Sequence, residues 1–459
     1  MTTPTLDRSI ADLRQTLAGR VITADDPDYD QARSITLGGI DPRPAVIVRV
    51  ADADDVAQAI AVARSTGIEL AVRSGGHSGA GHGTTDGGLV IDVTDMKGLD
   101  IEVEGRTAWA GSGLTAGEYS AAAGEHGLAT GFGDTGSVGI GGITTGGGIG
   151  YLVRKFGMTI DDLLAAEIVT ADGQVLHVDA DHHPDLFWAI RGGGGNFGVV
   201  TRFRFRLHDV SEFTGGLLVL PATAAIVAGF IAAATAAPDE LSTICNVMPC
   251  PPLPFVAQEH HGKLVIFGLI AYAGPPDAAA SAIAPLRALA TPLGDMVRPM
   301  AYPEIYPPED PDYHPTAVAR NLFLDRVDDE TAALIVDRLT ASDATMRVAQ
   351  LRVLGGAMAR VPDDATAFAH RQSRIMVNLA AFYDGVDDMD QRERWVTDFH
   401  AAIEQDDRGA YVNFVADEGE ARVRAAYPGA TWDRLREIKR RYDPDNVFHR
   451  NQNVPPAEG

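Results

Sequence analysis

Cysteine is almost absent from the 459 residues: there are two, Cys245 and Cys250. With four residues between them, beside a proline-rich run, they could pair, but they read as free thiols in a reducing compartment. Basic charge is also scarce. Lys and Arg number 38 against 63 Asp and Glu, a net charge of −25. Nucleic acid and anionic membranes both demand basic patches, so neither is expected as a main partner, and the acidity serves solubility. No long hydrophobic run is present. The most lipid-like stretch, Ala222–Ala237, is short, alanine-rich and flanked by Pro221 and Pro238, which fits a helix of a globular protein rather than a membrane span. The N-terminus, MTTPTLDRSIADLRQTL, carries acidic residues where a signal peptide needs an apolar core, so a cytoplasmic location is expected. Metal-ligand spacing is missing too. His182-His183 and His260-His261 are adjacent pairs, whose side chains diverge on a strand, and neither has a Cys or His partner at a recognised spacing, so no metal site is expected.

Glycine is what the chain has in abundance, and it is not spread evenly. Residues 72–92, VRSGGHSGAGHGTTDGGLVID, hold seven glycines and two histidines, His77 and His82, between the strand-like runs Glu69–Arg73 and Leu89–Val93. The consecutive N–H groups of Arg73, Ser74, Gly75, Gly76, His77 and Ser78 after a strand end suit a concave nest for a pyrophosphate. A second zone, residues 131–150, GFGDTGSVGIGGITTGGGIG, holds ten of the 49 glycines in twenty positions, against about two from average usage. That density argues against a helix or an ordinary strand and for a loop wrapped closely around a ligand. Together the two zones imply an extended ligand cradled by backbone from more than one side. The pattern G-x-G-x-x-G occurs at Gly131–Gly136 and Gly193–Gly198, but neither match joins a strand to a helix, so a Rossmann site is excluded on context.

The remaining chain gives an α+β pattern. Ala45–Val50 reads as a strand, followed by a helix capped by Asp52 or Asp54 with Val56, Ala59, Ile60 and Ala63 at helical spacing. Strands are expected at Ile101–Glu104 and Thr107–Ala110, and a helix at Thr115–Glu125 with a Thr115…Glu118 capping box. Glu167–Thr170 and Val175–Val178 form a hairpin around Asp172-Gly173, Pro184–Ile190 is a short helix, and Val199–Leu207 alternates as a half-buried strand. After His208 glycine thins out. Alanine-rich helices (223–237, 277–290, 330–341, 391–404) and strand-like runs (Lys263–Tyr272, Met346–Leu354, Arg374–Phe382) then predict a second domain. The division expected is 1–207, 208–410, and 411–459 returning to the first domain.

RSGGHS, GSVGIGGITTGGGIGYLVRKFG, DLFWAIRGGGGNFGVVT and the terminal YDPDNVF…NQN, taken in this order, resemble the flavin-dependent oxidases of the vanillyl-alcohol oxidase/p-cresol methylhydroxylase superfamily. More closely they resemble its berberine-bridge-enzyme-like branch. The resemblance covers nearly the whole chain, most specifically residues 45–207 and 411–455. It implies a two-part p-cresol-methylhydroxylase-type FAD domain with an inserted α+β substrate domain. It also implies FAD bonded covalently through its 8α-methyl to His77, a nucleophile when its imidazole is neutral; His82 has no such match and reads as a satisfied loop residue.

Many relatives carry a second, cysteinyl link from the 131–150 loop. The matching position here is Thr135, so a single covalent bond is expected. Three residues on, Val138 stands where the family has a gate beside the flavin, a small Val going with oxygen access. The FAD-holding set implied further comprises Gly136, Ser137, Gly139, Gly142, Gly146, Gly147, Gly150, Tyr151 and Val199. Tyr411-Val412-Asn413 resembles a Tyr-x-Asn element near the flavin, with Tyr411 as substrate base and Asn413 beside the cofactor. A phenol at its ordinary value of ~10 is a poor base, so this role needs a stabilised phenolate. HRQSRIMVNLAAF resembles the strand facing the substrate, where relatives carry Glu, Gln or Lys and this chain has Asn378, which leaves no glutamate base there. The reaction implied is oxidation of an alcohol, a sugar or secondary-metabolite hydroxyl, by hydride transfer to flavin N5, with O2 as acceptor and H2O2 as product. Amine oxidation or oxidative ring closure is the alternative chemistry, and a non-catalytic flavin carrier the alternative of another class. The chain is expected to act as a monomer or homodimer.

Overall fold

Residues 4–310 and 312–458 are described by a computed structural model. Its first sheet is small and mostly parallel. Val46–Arg49, Leu89–Asp92 and Leu70–Arg73 run parallel, with Arg20–Ile22 antiparallel at one edge. The crossover helix Ala53–Thr66 forms where its caps predict. Asp52, not Asp54, accepts the Asp55 N–H at 2.9 Å, and Gly67 ends the helix in the left-handed conformation at φ 69°, which glycine adopts without steric cost. Val56, Ala59, Ile60 and Ala63 are buried on the sheet. The strand Leu70–Arg73 then delivers the chain into the first glycine zone.

A second, five-stranded antiparallel sheet has the order Leu99–Glu102, Thr107–Gly111, Val199–Arg206, Leu163–Val169, Val175–Asp179. Its central strand alternates as expected, with Phe203 and Phe205 buried and Arg202 and Arg206 exposed. The helix Ala116–Gly124 opens with the full Thr115–Glu118 capping box, and the hairpin around Asp172-Gly173 is in register from Val169↔Val175 to Ala165↔Asp179.

One expectation fails here. The glycine zone 131–150 contains a helix, Ile140–Gly146. Glycine costs a helix about 1 kcal/mol per residue when packing is indifferent, but packing decides here. A Cβ on Gly146 would sit 2.0 Å from Asn413 Oδ1, so a bare backbone is what lets the C-terminal segment close onto this turn.

The third sheet spans residues 213–382. Its strand order is Gly294–Asp295, Phe213–Pro221, Leu264–Ala273, Leu241–Pro249, Arg347–Val353, Ile375–Phe382, Ala317–Leu324, with Arg298–Pro299 also pairing Phe213–Pro221. The helices Ala224–Ala236, Pro276–Arg287, Asp329–Ala341 and Val386–Ile403 bury one face of it. Phe230, Ile335 and Phe399 pack there against Ala349, Leu351, Val377 and Leu379, all fully buried. Each of those three side chains contributes about 1.5–3 kcal/mol by leaving water. The other face carries polar groups, because neighbouring residues of a strand point to opposite sides.

The C-terminal segment returns to the first half of the chain. Trp432, Leu435 and Ile438 of the helix Ala430–Tyr442 join the core that contains Trp188 and Phe203. Cys245 and Cys250 are free and buried. Among the described residues no helix is long and apolar enough to cross a membrane.

Candidate active site

A cleft runs between the two glycine zones, the C-terminal segment and the polar face of the large sheet, with about 1940 Å³ of empty space counting its open mouth. Arg73, Ser74, Gly75, Gly76, His77 and Ser78 line one wall. Thr135, Val138, Gly139 and Gly142 line a second, and Val199 backs them. Tyr411, Asn413 and Asn378 close the far end. Sequence-distant residues are thus brought together as expected.

Gly136, Ser137, Gly146, Gly147, Gly150 and Tyr151 do not line this cleft; they act behind the wall. Gly136 takes the Gly117 N–H on its carbonyl. A Cβ on Gly147 would lie 2.6 Å from Met158 Cε and 3.3 Å from the Tyr411 ring, and one on Gly150 1.7 Å from the Phe132 carbonyl. Tyr151 packs edge-on against Tyr306 and donates to the Asp134 carbonyl at 3.2 Å. Arg73 is also committed elsewhere. Its guanidinium pairs with the fully buried Asp92 at 2.9 Å and donates to the Ser34 carbonyl, so its charge is spent inside the protein.

Three observations test whether the walls fit FAD. The backbone N–H groups of residues 74–79 make no hydrogen bond among the described residues, while Gly76 sits at φ 71°, the alternation that forms an anion nest. Added Cβ atoms on Gly79, Gly142 and Gly195 would meet nothing within 4 Å, yet all three line the cleft; protein packing does not explain these glycines, whereas a ligand lying on the backbone does. Ser112 Oγ, Asn378 Oδ1 and Asn451 Oδ1 are buried on the walls without a partner among the described residues, and such groups cost free energy until something bonds them. The walls fit a long, polar-ended ligand with a pyrophosphate.

Gly75 and Gly139 have a different task. A Cβ on Gly139 would stand 2.2 Å from Gly75 N, and one on Gly75 2.3 Å from Gly139 N. The two loops touch backbone to backbone at this point. His77 follows directly, its Nε2 3.0 Å from Ser137 Oγ. Burial pushes its imidazole below the ordinary value, opposed by the charge of Glu309 and by Ser137, so the ring is neutral near pH 7. His82 departs from its expected role. It lines the cleft, its ring has no hydrogen bond among the described residues, and burial with the nearby Arg450 lowers it to about 4. Its density of neighbouring glycines was the available signal.

At the other end, Tyr411 is buried and its oxygen accepts the N–H of Gly148 and the Nδ2–H of Asn413, each at 2.9 Å. These donors favour a phenolate, but burial is the larger effect and pushes the phenol above 10.0. The depressed phenol expected from the sequence is therefore not found. The substrate-facing sheet carries an amide row. Asn246 lies opposite Gln350, Gln350 opposite Asn378, and Asn378 opposite Asn321 across four strands. Gln350 Nε2 donates to Asn246 Oδ1 at 2.9 Å, and the Tyr411 N–H donates to Asn321 Oδ1 at 2.7 Å. Among the described residues the one carboxylate on the cleft wall, Asp134, is paired with Arg352 at 2.6 Å. Among the described residues no cluster could hold a metal ion.

Residues 44–179 match the FAD binding domain family, and residues 410–455 match the family described as berberine and berberine like. The FAD-linked oxidoreductase YvdP of Bacillus subtilis is 32% identical over 96% of this chain and 99% of its own length. The chain belongs to the berberine-bridge-enzyme-like FAD-linked oxidases. Relatives of this oxidase include (R)-6-hydroxynicotine oxidase of Paenarthrobacter nicotinovorans, 28% identical over 96% of this chain and 97% of that one. The crystal structure of 6-hydroxy-D-nicotine oxidase from Arthrobacter nicotinovorans superposes with a TM-score of 0.87 at 26% identity, covering both chains fully. Xylooligosaccharide oxidase of Thermothelomyces thermophilus is 29% identical over 90% of this chain and 88% of that one. The fold class, the FAD-binding domain and the oxidase activity expected from the motifs all stand.

Proposed function

We propose that this FAD-dependent oxidase holds its cofactor by one covalent bond at His77 and oxidises the carbinol carbon of a neutral alcohol, a sugar or secondary-metabolite hydroxyl. The observation that carries the substrate class is electrostatic. Asp134, the sole carboxylate among the described residues lining the cleft, is already paired with Arg352, so no free anion awaits a cationic amine. Asn378, the member of the amide row that lines the cleft, instead offers a neutral Oδ1, without a partner among the described residues, to hydroxyls. The relatives named for a xylooligosaccharide and for 6-hydroxynicotine keep both chemistries within the family.

FAD, when bound in the cleft, would supply the two-electron acceptor, with dioxygen as the oxidant that restores it. The chain's own residues do the rest. The N–H groups of residues 74–79 hold the pyrophosphate, and His77, neutral because it is buried, presents a nucleophilic nitrogen. Thr135 has no thiol, so the histidyl bond stands alone. Val138, partly buried on the cleft wall, is the side chain past which dioxygen would approach. Asn378 accepts a substrate hydroxyl proton in a hydrogen bond and fixes the substrate's orientation. Tyr411 takes the reacting hydroxyl's proton in its phenolate form, which Asn413 and the Gly148 N–H favour and burial opposes.

An anaerobic screen of alcohols, sugars and amines tests the substrate class. Bleaching of the flavin band by alcohols or sugars, with recovery in air, supports the proposal; bleaching by amines alone would replace it.

A further inference from the structure

Ser137 does not touch the cleft, yet it is bonded on both sides. Its Oγ lies 3.0 Å from His77 Nε2 on one side and bonds the Glu309 carboxylate on the other. Glu309 also accepts the Ser137 N–H at 3.0 Å, so the carboxylate grips this residue by backbone and side chain together. Glu309 lies 172 residues downstream, in the stretch between Tyr306 and the strand Ala317–Leu324 of the large sheet.

Counting protons fixes the direction of the chain. A carboxylate accepts only, and a serine hydroxyl has one proton to give. With that proton directed at Glu309, Oγ receives from His77, so Nε2 carries the imidazole's hydrogen and Nδ1 carries the free lone pair. We infer that Glu309, acting through Ser137, is the base that drives attachment of FAD to His77. The inference rests on the histidyl link proposed above.

Nδ1 forms a bond to the 8α carbon, which has given up one proton to solvent as two electrons enter the ring system; dioxygen then removes those electrons. Bond formation at Nδ1 leaves the imidazole cationic in a buried site. The Nε2 proton passes to Ser137 Oγ as the Ser137 proton passes to Glu309, and the neutral alkylated imidazole remains. Glu309 is exposed at its far side, so it returns the proton to water. Ser137 and Glu309 are positioning and proton-moving residues for attachment; neither touches substrate.

The test uses the full chain prepared under riboflavin limitation and mixed with FAD in air. The readout is flavin fluorescence that stays with acid-precipitated protein, followed in time. Glu309→Gln and Ser137→Ala should couple about 100-fold or more slowly, the scale of general-base loss, while non-covalent FAD binding measured by fluorescence quenching is unchanged. Raising the pH should restore Glu309→Gln, because hydroxide replaces the missing base, and Glu309→Asp should recover part of the rate. Coupling of both variants at the wild-type rate, with His77→Ala still uncoupled, overturns the relay and leaves the histidyl link intact. Slow coupling that ignores pH also overturns it, reducing Glu309 to a clamp. A wild-type chain that never couples removes the histidyl link and the relay together.

Discussion

Lys439 and Asp443 are both fully buried, and their charged ends lie 2.6 Å apart. The ammonium also donates to the carbonyls of Asn196 and Phe448, at 2.7 and 2.9 Å, and the carboxylate accepts the N–H of Val447 and of Phe448. One ion pair thus joins the last long helix to the turn after Gly192–Gly195, whose Asn196 lines the cleft. Lys439→Met should cost about 3–5 kcal/mol, because Asp443 would keep its charge without its partner. Urea unfolding of the holoenzyme followed by far-UV circular dichroism checks this, and a loss under 1 kcal/mol would mean that water reaches Asp443.

His77→Ala should leave acid-precipitated protein colourless, with all the flavin in the supernatant, while the wild-type pellet stays yellow. The same substitution removes an imidazole from a cleft that otherwise keeps its nest, so non-covalent FAD should still bind.

Tyr411→Phe should slow anaerobic flavin reduction by about 10²–10⁴-fold and leave reoxidation in air unchanged. The pH dependence has a definite sign. The base form is the phenolate, and burial holds the phenol above 10.0. Reduction in the wild type should therefore climb with pH through and beyond that value, and in Tyr411→Phe the climb should vanish. A wild-type plateau near pH 7 would assign the proton to another group.

Gly142→Ala separates cradle from scaffold. Its Cβ would meet no atom of the described residues within 4 Å and it lies inside the helix Ile140–Gly146, so the thermal midpoint of flavin-free protein should hold or rise. FAD affinity should fall about tenfold or more, since the new methyl occupies ligand space. Gly139→Ala, pressed against Gly75, should lower both.

Asn378→Leu should raise KM for the best substrate about three- to tenfold with little change in kcat, the worth of one hydrogen bond. Because Asn378 Oδ1 has no protein partner, the substitution should not destabilise the free enzyme. Calorimetry beside steady-state kinetics distinguishes the two effects.

Local signals in the sequence carried further than distant ones. The Thr115 capping box, the hairpin at Asp172-Gly173 and the alternation of Val199–Arg206 each depend on neighbours a few residues apart, and each forms as read. The strands Phe213–Pro221, Leu241–Pro249 and Ala317–Leu324 escaped notice. Leu241–Pro249 is nearly buried on both faces, so it shows no alternation, and its partners lie far along the chain. The helix Ile140–Gly146 was hidden by its glycines, and the purpose of Gly146, room for Asn413, is visible only in three dimensions. In the site, glycine density located the cleft and His77. Glu309, the Asp134–Arg352 pair and the amide row left no trace in spacing, since each joins residues more than a hundred positions apart or on different strands.

The span between Ser137 and Glu309 has a consequence in time. At ordinary translation rates of about 5–20 residues per second, the carboxylate leaves the ribosome on the order of ten to thirty seconds after the serine it will grip. Throughout that interval the nascent first half already owns its histidine and its nest but lacks the far end of the contact. If attachment at His77 needs this contact, as proposed, permanent cofactor capture waits for the stretch that carries Glu309, and a chain terminated before it is left able to release its flavin.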